Sequence, residues 1–419
     1  MAMAGRRSLG RQFGWLWAAF AVSTAGTWLG FGAFPLIAIR VLHAGPAGVS
    51  VLSAAGLAVG AVVAVPLGPW VEGHRKRRVM AGMDFARFAA LLSVPAAFAL
   101  GGLSFAQLLV VSVVTGAASI TFRAASGACL KTLVPPDDLL VANARFESTN
   151  WAASVLGPVL GGAAIGLFGP VVTVLADAVS YLLSAAGIRA ITGTEPRPAR
   201  TGAAGLRPRD LLDGWRYIVA HPVLRRLFLN NILVSGLILA TEPLLAVLML
   251  GRLHFAPWQY GLAFAAPCTG GLAGSRLARR LVARSGRHKV MVTAGTLSAC
   301  WPIALAFIRP GAAGLVLVIA AELGLITCLS VFSPVLATYR LDQTAPDRVA
   351  RTLSAWSVTK NITTAVLTAL WGVLGSLTGP RTAIAVAGAV LLATPLLLPR
   401  RDRTPQPGRE LALAGAEQQ

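Results

Sequence analysis

Twelve apolar stretches follow one another along the chain, separated by shorter polar segments. They cover approximately residues 13–39, 48–70, 79–101, 104–126, 140–166, 171–192, 228–250, 259–278, 290–308, 312–338, 352–376 and 382–399. An α-helix needs about 20 apolar residues to cross the hydrocarbon core of a bilayer. Because only helices and closed barrels satisfy their backbone hydrogen bonds in lipid, the pattern predicts an all-α integral membrane protein with twelve transmembrane helices.

The composition favours the same fold class and excludes most others. Of 419 residues, 55% are hydrophobic and 13% are charged, whereas soluble domains carry about 25% charged residues. The sequence has no His-rich cluster, no Ser/His/Asp arrangement and no phosphate-binding glycine loop, so we expect no enzymatic activity and no catalytic residues. The cysteines follow no metal or disulfide spacing, so we expect no metal site and no cofactor. They are Cys129, Cys268, Cys300 and Cys328.

The net charge of +21 is distributed unevenly over the connections between the apolar stretches. If the N-terminus is cytoplasmic, the outward-facing loops contain only Arg40, Arg252, Arg309 and Arg381. Most other basic residues lie in the opposite connections and at the two ends of the chain. This positive-inside bias predicts a multi-pass protein of the cell membrane with both termini cytoplasmic. It also assigns the basic charge to topology and to anionic lipid, and not to nucleic acid.

Two halves of the sequence align when the chain is shifted by 210 residues. Thr149 then falls on Thr359, and Gly162 falls on Gly372. The repeat predicts two parallel six-helix units, residues 1–192 and 228–399, joined by a cytoplasmic linker (193–227) and followed by a tail (400–419). Parallel repeats bind substrate at the interface between them. In the linker, 208–219 has an apolar helical face that predicts an amphipathic helix on the inner leaflet.

Two motifs resemble those of the major facilitator superfamily. One is Gly68-Pro-Trp-Val-Glu72-Gly73-His-Arg75-Lys76-Arg77 after the second span, which is similar to that superfamily's glycine–acid–basic loop. The other is Gly157-Pro158-Val-Leu-Gly161-Gly162 in the fifth span, which is similar to a motif of its antiporters. A proline bends a helix, and glycines allow a neighbouring helix to approach closely, here a helix of the other half.

The resemblance implies roles for these motifs. The first motif implies a cytoplasmic gate, to which we add the neighbouring Asp84 and Arg87; the complete gate set is Gly68, Glu72, Arg75, Arg77, Asp84 and Arg87. This copy has Glu72 where the family has aspartate and Gly73 where it has arginine, which weakens the implied latch. The sequence Asp177-Ala-Val-Ser180-Tyr181 further resembles the drug-exporter branch that includes enterobactin-type siderophore exporters. An arginine that many antiporters carry in the fourth span is replaced by Ser112.

Charged residues inside a membrane are costly, about 2.5–3.5 kcal/mol each, and therefore indicate function or pairing. Asp84 and Arg87 are three apart near the inner end of the third span, Arg145 and Glu147 sit similarly in the fifth, and Arg123 lies near the inner end of the fourth. We expect these five to form a cytoplasmic gate or structural ion pairs, and Asp177 to form structural hydrogen bonds. Glu242 and Glu322 each lie in an otherwise uncharged span that the resemblance places on the central cavity, and these two are our candidates for proton coupling. Candidate substrate contacts in the cavity are Trp28, Asn150, Asn230, Tyr260, Trp301, Lys360 and Asn361, with Lys360 as a candidate counter-charge to the glutamates.

Together these features predict an exporter of a small amphipathic molecule, working as a monomer by alternating access and driven by a proton gradient. Two alternatives within the fold stay open, an importer and an uncoupled facilitator. A transporter-like receptor or scaffold is a third alternative. The sequence alone does not name the substrate.

The charge bias leads to a first prediction. Reporter proteins fused after Thr201 and after Gln419 should both give cytoplasmic signals, because basic residues flanking a span oppose its translocation. Parallel fusions with alkaline phosphatase, which is active only outside the cytoplasm, provide the complementary readout. A periplasmic signal at either position would contradict the twelve-span topology.

Overall fold

The computed structural model describes residues 9–56, 58–59, 74–135, 138–192, 208–344 and 348–399. Within these ranges the chain folds into α-helices with short π-helical and 3₁₀ segments. The helices of the first half are α1 (Arg11–Leu29), α2 (Ala33–Arg40), α3 (Pro46–Gly56), α4 (Lys76–Ala99), α5 (Phe105–Leu133), α6 (Leu139–Phe168) and α7 (Pro170–Arg189).

The linker helix and the second half follow. They comprise α8 (Pro208–Ala220), α9 (Pro222–Ala246), α10 (Pro257–Ala265), α11 (Cys268–Ser285), α12 (Arg287–Cys300), α13 (Ala312–Asp342), α14 (Val349–Thr378) and α15 (Pro380–Ala393). A π-helix (Val247–Arg252) extends α9, and 3₁₀ turns (Pro302–Phe307 and Thr394–Leu397) extend α12 and α15.

Ten helical segments of the described chain are long and apolar enough to cross a membrane. They account for ten of the twelve predicted spans. The second predicted span begins with α3 and continues outside the described residues, and the eighth is divided into α10 and α11 at Pro267. The all-α membrane architecture expected from the hydropathy pattern is therefore confirmed.

The repeat is visible in local chain geometry. The fifth and sixth spans meet at Gly169, which has φ 84°, and Pro170 begins α7. The eleventh and twelfth spans meet at Gly379, which has φ 91°, and Pro380 begins α15. Glycine adopts a positive φ without steric cost, and proline at the first helical position has no amide hydrogen to leave unsatisfied. The same dipeptide therefore makes the same tight helix connection in both halves.

The two halves contact each other at one end of the bundle through glycines of α6 and α14. A Cβ atom at Gly162 would lie 2.5 Å from the Pro257 carbonyl oxygen and 2.8 Å from the Trp258 Cα at the start of α10. At the position equivalent to Gly162, Gly372 of α14 lies against Ser50 and Ala47 near the start of α3. We call these two crossings the seam. The backbones are too close there for any larger residue, so the seam closes this end of the bundle.

The glycines of the fifth-span motif do not all face the other half, as the motif had suggested. A Cβ atom at Gly157 would overlap Trp28, and one at Gly161 would overlap Leu29, both in α1 of the same half. Gly162 and the Pro158 carbonyl, which lies against Gly261 of α10, make the contact between halves. The helical period explains this division, because adjacent positions 161 and 162 point about 100° apart.

The amphipathic helix α8 packs on α14 through part of its predicted apolar face. Gly214 lies against the Arg351 carbonyl of α14, and the Trp215 indole donates a 2.8 Å hydrogen bond to Thr359 Oγ1. Ile218 is fully buried. Trp215 and Ile218 of the predicted apolar face pack on protein, whereas Leu212 and Val219 of the same face are exposed.

The packing of α6 on α1 generates a second prediction. Gly161→Leu should destabilise the purified protein, because overpacking a close contact costs about 1–3 kcal/mol. Gly166→Leu is the matched control in the same helix, since a Cβ atom there meets nothing within 4 Å. Thermal unfolding in detergent should show a lower midpoint for Gly161→Leu and little change for Gly166→Leu. Equal midpoints for both variants would contradict the close approach of α1.

Candidate functional site

A cavity of about 280 Å³ lies in the first half, away from the seam. It is formed by the first half of α6, the second half of α5 and the middle of α1. Four aromatic residues line it, namely Phe20, Trp28, Phe122 and Phe146. Its polar lining includes Ser23, Thr24, Thr27, Ser119, Ser126, Asn143 and Asn150. Two of the predicted substrate contacts, Trp28 and Asn150, are therefore on its wall.

Three charged residues also line this cavity. Arg123 and Glu147 are exposed to it, whereas Arg87 is 4% exposed. The sequence analysis expected Arg87 at the cytoplasmic gate, and the structure places it on the cavity wall. An aromatic lining with hydroxyl, amide and charged groups suits an amphipathic ligand that has both a ring and a polar or charged group.

The ion pair predicted from spacing is present in α4. Arg87 binds the Asp84 carboxylate, and the Ser184 hydroxyl of α7 donates a 2.6 Å hydrogen bond to the other Asp84 oxygen. Two other gate residues have different surroundings. Arg75 is exposed at the start of α4, and Arg77 donates to the Ile191 carbonyl at 3.1 Å. Gly68 and Glu72 lie outside the described residues, so the structure does not test their role in a latch.

The two glutamates lie close enough to interact electrostatically with each other. Glu242 is in α9 and Glu322 is in α13, and both also act on the Tyr260 hydroxyl of α10. All three residues are in the second half, on three different helices. Pro243 follows Glu242 directly, and α9 changes to a π-helix four residues later. Proline lacks an amide hydrogen, and π-helical turns are frequent at functional sites.

Tyr260 connects this glutamate pair to the first half. Its ring stacks on Phe31 with centroids 5.8 Å apart and an angle of 12° between the planes. A Cβ atom at Gly32 would lie 3.3 Å from Tyr260 Cε1. Phe31 and Gly32 belong to the turn between α1 and α2. Tyr260 is therefore not a wall residue of the cavity but a buried contact between the halves, next to two acids.

Several predicted cavity residues have other positions. Asn230 is 3% exposed and donates a 2.8 Å hydrogen bond to the Thr394 carbonyl, so it joins α9 to the end of the last span. Trp301 packs against Gly324 of α13. Asn361 is half-buried in α14, and none of these three lines the cavity. A polar or aromatic residue in a span predicts a contact, but the sequence does not say on which side of the helix it lies.

Lys360 is not positioned as a counter-charge to the glutamates. The charge that acts on it is Arg340, near the end of α13. Glu322 lies in the same continuous helix, about five helical turns from Arg340. The structure therefore contradicts the predicted pairing, because depth in the membrane was estimated from span boundaries alone.

Two functional positions are not among the predicted substrate contacts. Phe31 is one of many apolar residues in the first span, and only its stacking on Tyr260 distinguishes it. Glu147 is predicted from its spacing to be half of an ion pair, yet it lies on the cavity wall. A signal for Glu147 is available in the sequence, since it lies one helical turn before Trp151 and three residues before Asn150.

Comparison with known proteins gives relatives of similar length. The chain is 27% identical over 317 residues to the multidrug efflux pump Tap of Mycobacterium tuberculosis, covering 73% of each chain. It is 26% identical over 346 residues to the multidrug efflux pump Tap of Mycolicibacterium fortuitum, covering 79% of this chain and 81% of that protein.

Solved transporter structures have the same fold. A mutant of the nucleoside transporter NupG superposes with a TM-score of 0.74 at 12% identity, covering 93% of this chain and 98% of that one. A bacterial homologue of the iron transporter ferroportin in its inward-facing state gives 0.73 at 20% identity, with the same coverage. The outward-facing state of such a homologue gives 0.59 at 19% identity, again with the same coverage. These likenesses establish the fold alone.

The family model of the Major Facilitator Superfamily matches residues 16–328 and 240–417, which together include almost the whole chain. This agrees with the two sequence motifs, the six-helix repeat and the glycine contacts between halves. The chain belongs to the Major Facilitator Superfamily.

Proposed function

We propose that this protein exports small amphipathic molecules in exchange for protons, by alternating access between its two halves. The observation that carries the proposal is the pair of acids, Glu242 and Glu322, beside Tyr260 at the contact between the halves. The named activity of the relatives, multidrug efflux, supports the direction of transport.

The basic residues orient the bundle. Arg75, Arg77 and the start of α1 lie at the end of the bundle opposite the seam, and the positive-inside bias assigns that end to the cytoplasm. The seam then faces outward and is closed, and the cavity lies on the cytoplasmic side. This arrangement corresponds to the inward-facing state of the transport cycle, in which an exporter collects its substrate.

The glutamate pair is suited to exchange protons. In this proposal the two carboxyl groups repel each other when both are ionised in the low-dielectric interior, so binding a proton at either one relieves that repulsion. The net charge of the two glutamates determines the free-energy cost of burying them. A neutral or singly charged pair is compatible with the closed seam, whereas a doubly charged pair favours a state in which water reaches it.

Tyr260 provides the mechanical connection in this proposal. It is buried between the glutamates and the Phe31–Gly32 turn, so a change in hydration at the acids displaces a side chain that holds the halves together. Proton binding from the outside and proton release to the cytoplasm therefore alternate with opening and closing of the seam. Such a cycle couples downhill proton entry to export of the substrate bound in the cavity.

The cavity lining supports a substrate class. Phe20, Trp28, Phe122 and Phe146 offer ring faces, and Glu147 offers an exposed carboxylate. A planar aromatic cation matches the rings by stacking and Glu147 by charge, whereas Arg123 on the same wall favours an anionic group. We therefore use ethidium, a planar fluorescent cation, as the first probe.

A reconstitution experiment tests the function. Purified protein in lipid vesicles with a quenching DNA solution inside reports ethidium movement by fluorescence, and an imposed pH gradient supplies the driving force. For a proton-coupled exporter, ethidium should move against its concentration gradient only when protons run in the opposite direction. Movement unaffected by the gradient indicates a facilitator, and movement together with protons indicates an importer.

The third prediction concerns the acid pair. Glu322→Gln keeps the shape and hydrogen-bonding capacity of the side chain but removes the titrating group. This variant should still bind ethidium, but its rate of gradient-driven transport should fall at least tenfold. Losing a coupling interaction of about 1.4 kcal/mol changes an equilibrium constant by a factor of ten. Glu242→Gln should have the same direction of effect, and the double variant should be no worse than the more severe single variant.

Glu147→Gln is the matched control for that prediction. This change removes a carboxylate from the cavity wall and leaves Glu242 and Glu322 unchanged. We expect weaker ethidium binding in this variant with an unchanged dependence of transport on pH. If Glu322→Gln and Glu242→Gln, singly and together, transport with the pH dependence of the unmodified protein, then the acid pair does not carry the coupling proton.

A further inference from the structure

A second group of buried charges lies in the first half, and the proposed coupling pair does not use it. It consists of Asp84 and Arg87 of α4 and Asp177 of α7, which are 0%, 4% and 8% exposed. Arg87 acts electrostatically on both carboxyl groups. We call these three residues the first-half triad. It contains two acids and one base, so with every group ionised it carries an uncompensated negative charge.

The two acids of the triad differ in the hydrogen-bond and ion-pair partners of their carboxyl groups. Asp84 has a partner for each of its oxygens, Arg87 on one and the Ser184 hydroxyl on the other. Asp177 has only the Ser180 hydroxyl, at 3.4 Å from its Oδ1. That hydroxyl has one proton and lies 2.7 Å from the Asp177 backbone carbonyl, which is the better acceptor. An ionised Asp177 therefore has no strong hydrogen-bond donor among the described residues.

Two glycines of the first span lie against the carboxyl oxygens of Asp177. A Cβ atom at Gly26 would lie 2.8 Å from Asp177 Oδ1, and one at Gly30 would lie 3.3 Å from Oδ2, so α1 covers both oxygens with glycine. The other charges on helices that pack on α7 lie near the ends or beginnings of those helices. They are Arg11 in α1, Arg40 in α2, Lys76, Arg77 and Arg78 in α4, and Arg145 and Glu147 in α6. The Tyr181 hydroxyl, which shares the cluster, bonds to Thr27 Oγ1 at 2.7 Å.

Arg87 has an unused donor in this arrangement. Its guanidinium lies between the Tyr181 ring, 4.1 Å away, and the Phe122 ring, 4.7 Å away. Its Nε is buried and has no hydrogen-bond partner among the described residues. A buried donor without a partner costs about 1–3 kcal/mol, so a carboxylate that became available would be bound. Asp177 is the carboxyl group within electrostatic reach that lacks such a partner.

We propose that Asp177 is a second proton-binding site, in the first half, and that its protonation decides how Arg87 is shared between Asp84 and Asp177. With a proton on Asp177, the triad is electrically neutral and Arg87 stays with Asp84, as the structure has it. Loss of that proton leaves a carboxylate that competes for the same guanidinium. No other reactant is needed, since the only change is one proton leaving the Asp177 carboxyl group for water.

The site acts on the transport cavity through residues already described. Arg87, Phe122 and Thr27 line the cavity. Arg87 belongs to the triad, the Phe122 ring packs on its guanidinium, and Thr27 bonds to the neighbouring Tyr181 hydroxyl. Gly26 and Gly30 belong to the first span, whose Trp28 lies between them on the cavity wall. A shift of Arg87 towards Asp177 therefore changes the wall where substrate binds. Its role in transport rests on the proposed function, whereas the proton site itself does not.

Infrared spectroscopy of the purified protein in lipid tests the site directly. A protonated, buried carboxylic acid gives a carbonyl stretching band that disappears when the proton leaves. We expect such a band at acidic pH and its loss as the pH rises. Labelling all aspartates with ¹³C at the side-chain carboxyl should shift this band in the unmodified protein, whereas a glutamate band would stay in place. This measurement does not depend on any variant folding.

Variants assign the band to one aspartate. In a Glu242→Gln/Glu322→Gln background the aspartate band should remain, and adding Asp177→Asn should abolish it with the loss of one titrating proton per molecule. Asp84→Asn is the second test variant, because it frees Arg87 to pair with an ionised Asp177, and it should move the loss of the band to lower pH. A spectrum without an aspartate band, or a band that survives Asp177→Asn, overturns the proposal. Failure of the glutamates to couple transport would leave this result unaffected, so the two proposals fail separately.

Discussion

Close backbone approach at glycine is the constraint on which the rest of this structure depends. Inside a bilayer, helices gain little by burying apolar side chains against each other, because lipid tails are equally apolar. Tight packing then requires residues that let backbones touch. Gly162 and Gly372 provide that contact between the halves, and Gly157 and Gly161 provide it between α6 and α1. Helix α6 thus packs against its own half with one face and against the opposite half with the adjacent face.

This packing explains where the ionisable groups can have an effect. A charge far from any moving contact changes only the local cost of burial. Glu242 and Glu322 act electrostatically on Tyr260, which stacks on the turn between α1 and α2. Their charge therefore affects the contact between the two halves. Asp177 lies against Gly26 and Gly30 of the same first span. The first span therefore touches Asp177 directly and reaches the glutamates through Tyr260, in addition to lining the cavity.

Much of the architecture could be predicted from the sequence because its causes are local. Hydropathy determines the spans, Gly-Pro dipeptides mark the connections at 169–170 and 379–380, and the 210-residue offset relates the two crossings of the seam. Residue roles were harder to predict, for a physical reason. Asn230, Trp301 and Lys360 lie in spans that were expected to contribute to the cavity, yet the side of the helix on which each lies depends on helix rotation. Rotation depends on contacts such as Gly162 with α10, which hydropathy does not reveal.

The repeat preserves packing but not charge. Equivalent glycines make equivalent crossings, and Thr149 and Thr359 both accept a hydrogen bond from a tryptophan indole, Trp17 in one half and Trp215 in the linker. The ionisable groups follow no such equivalence. In the second half two acids interact without a base among the described residues that act on them, whereas in the first half two acids share Arg87. Both groups change their net charge with every proton, but the triad also contains a base, and the partner of that base can change when one acid loses its proton. The symmetric frame therefore holds two chemically different sites, and the first span is the element through which they can act on one another.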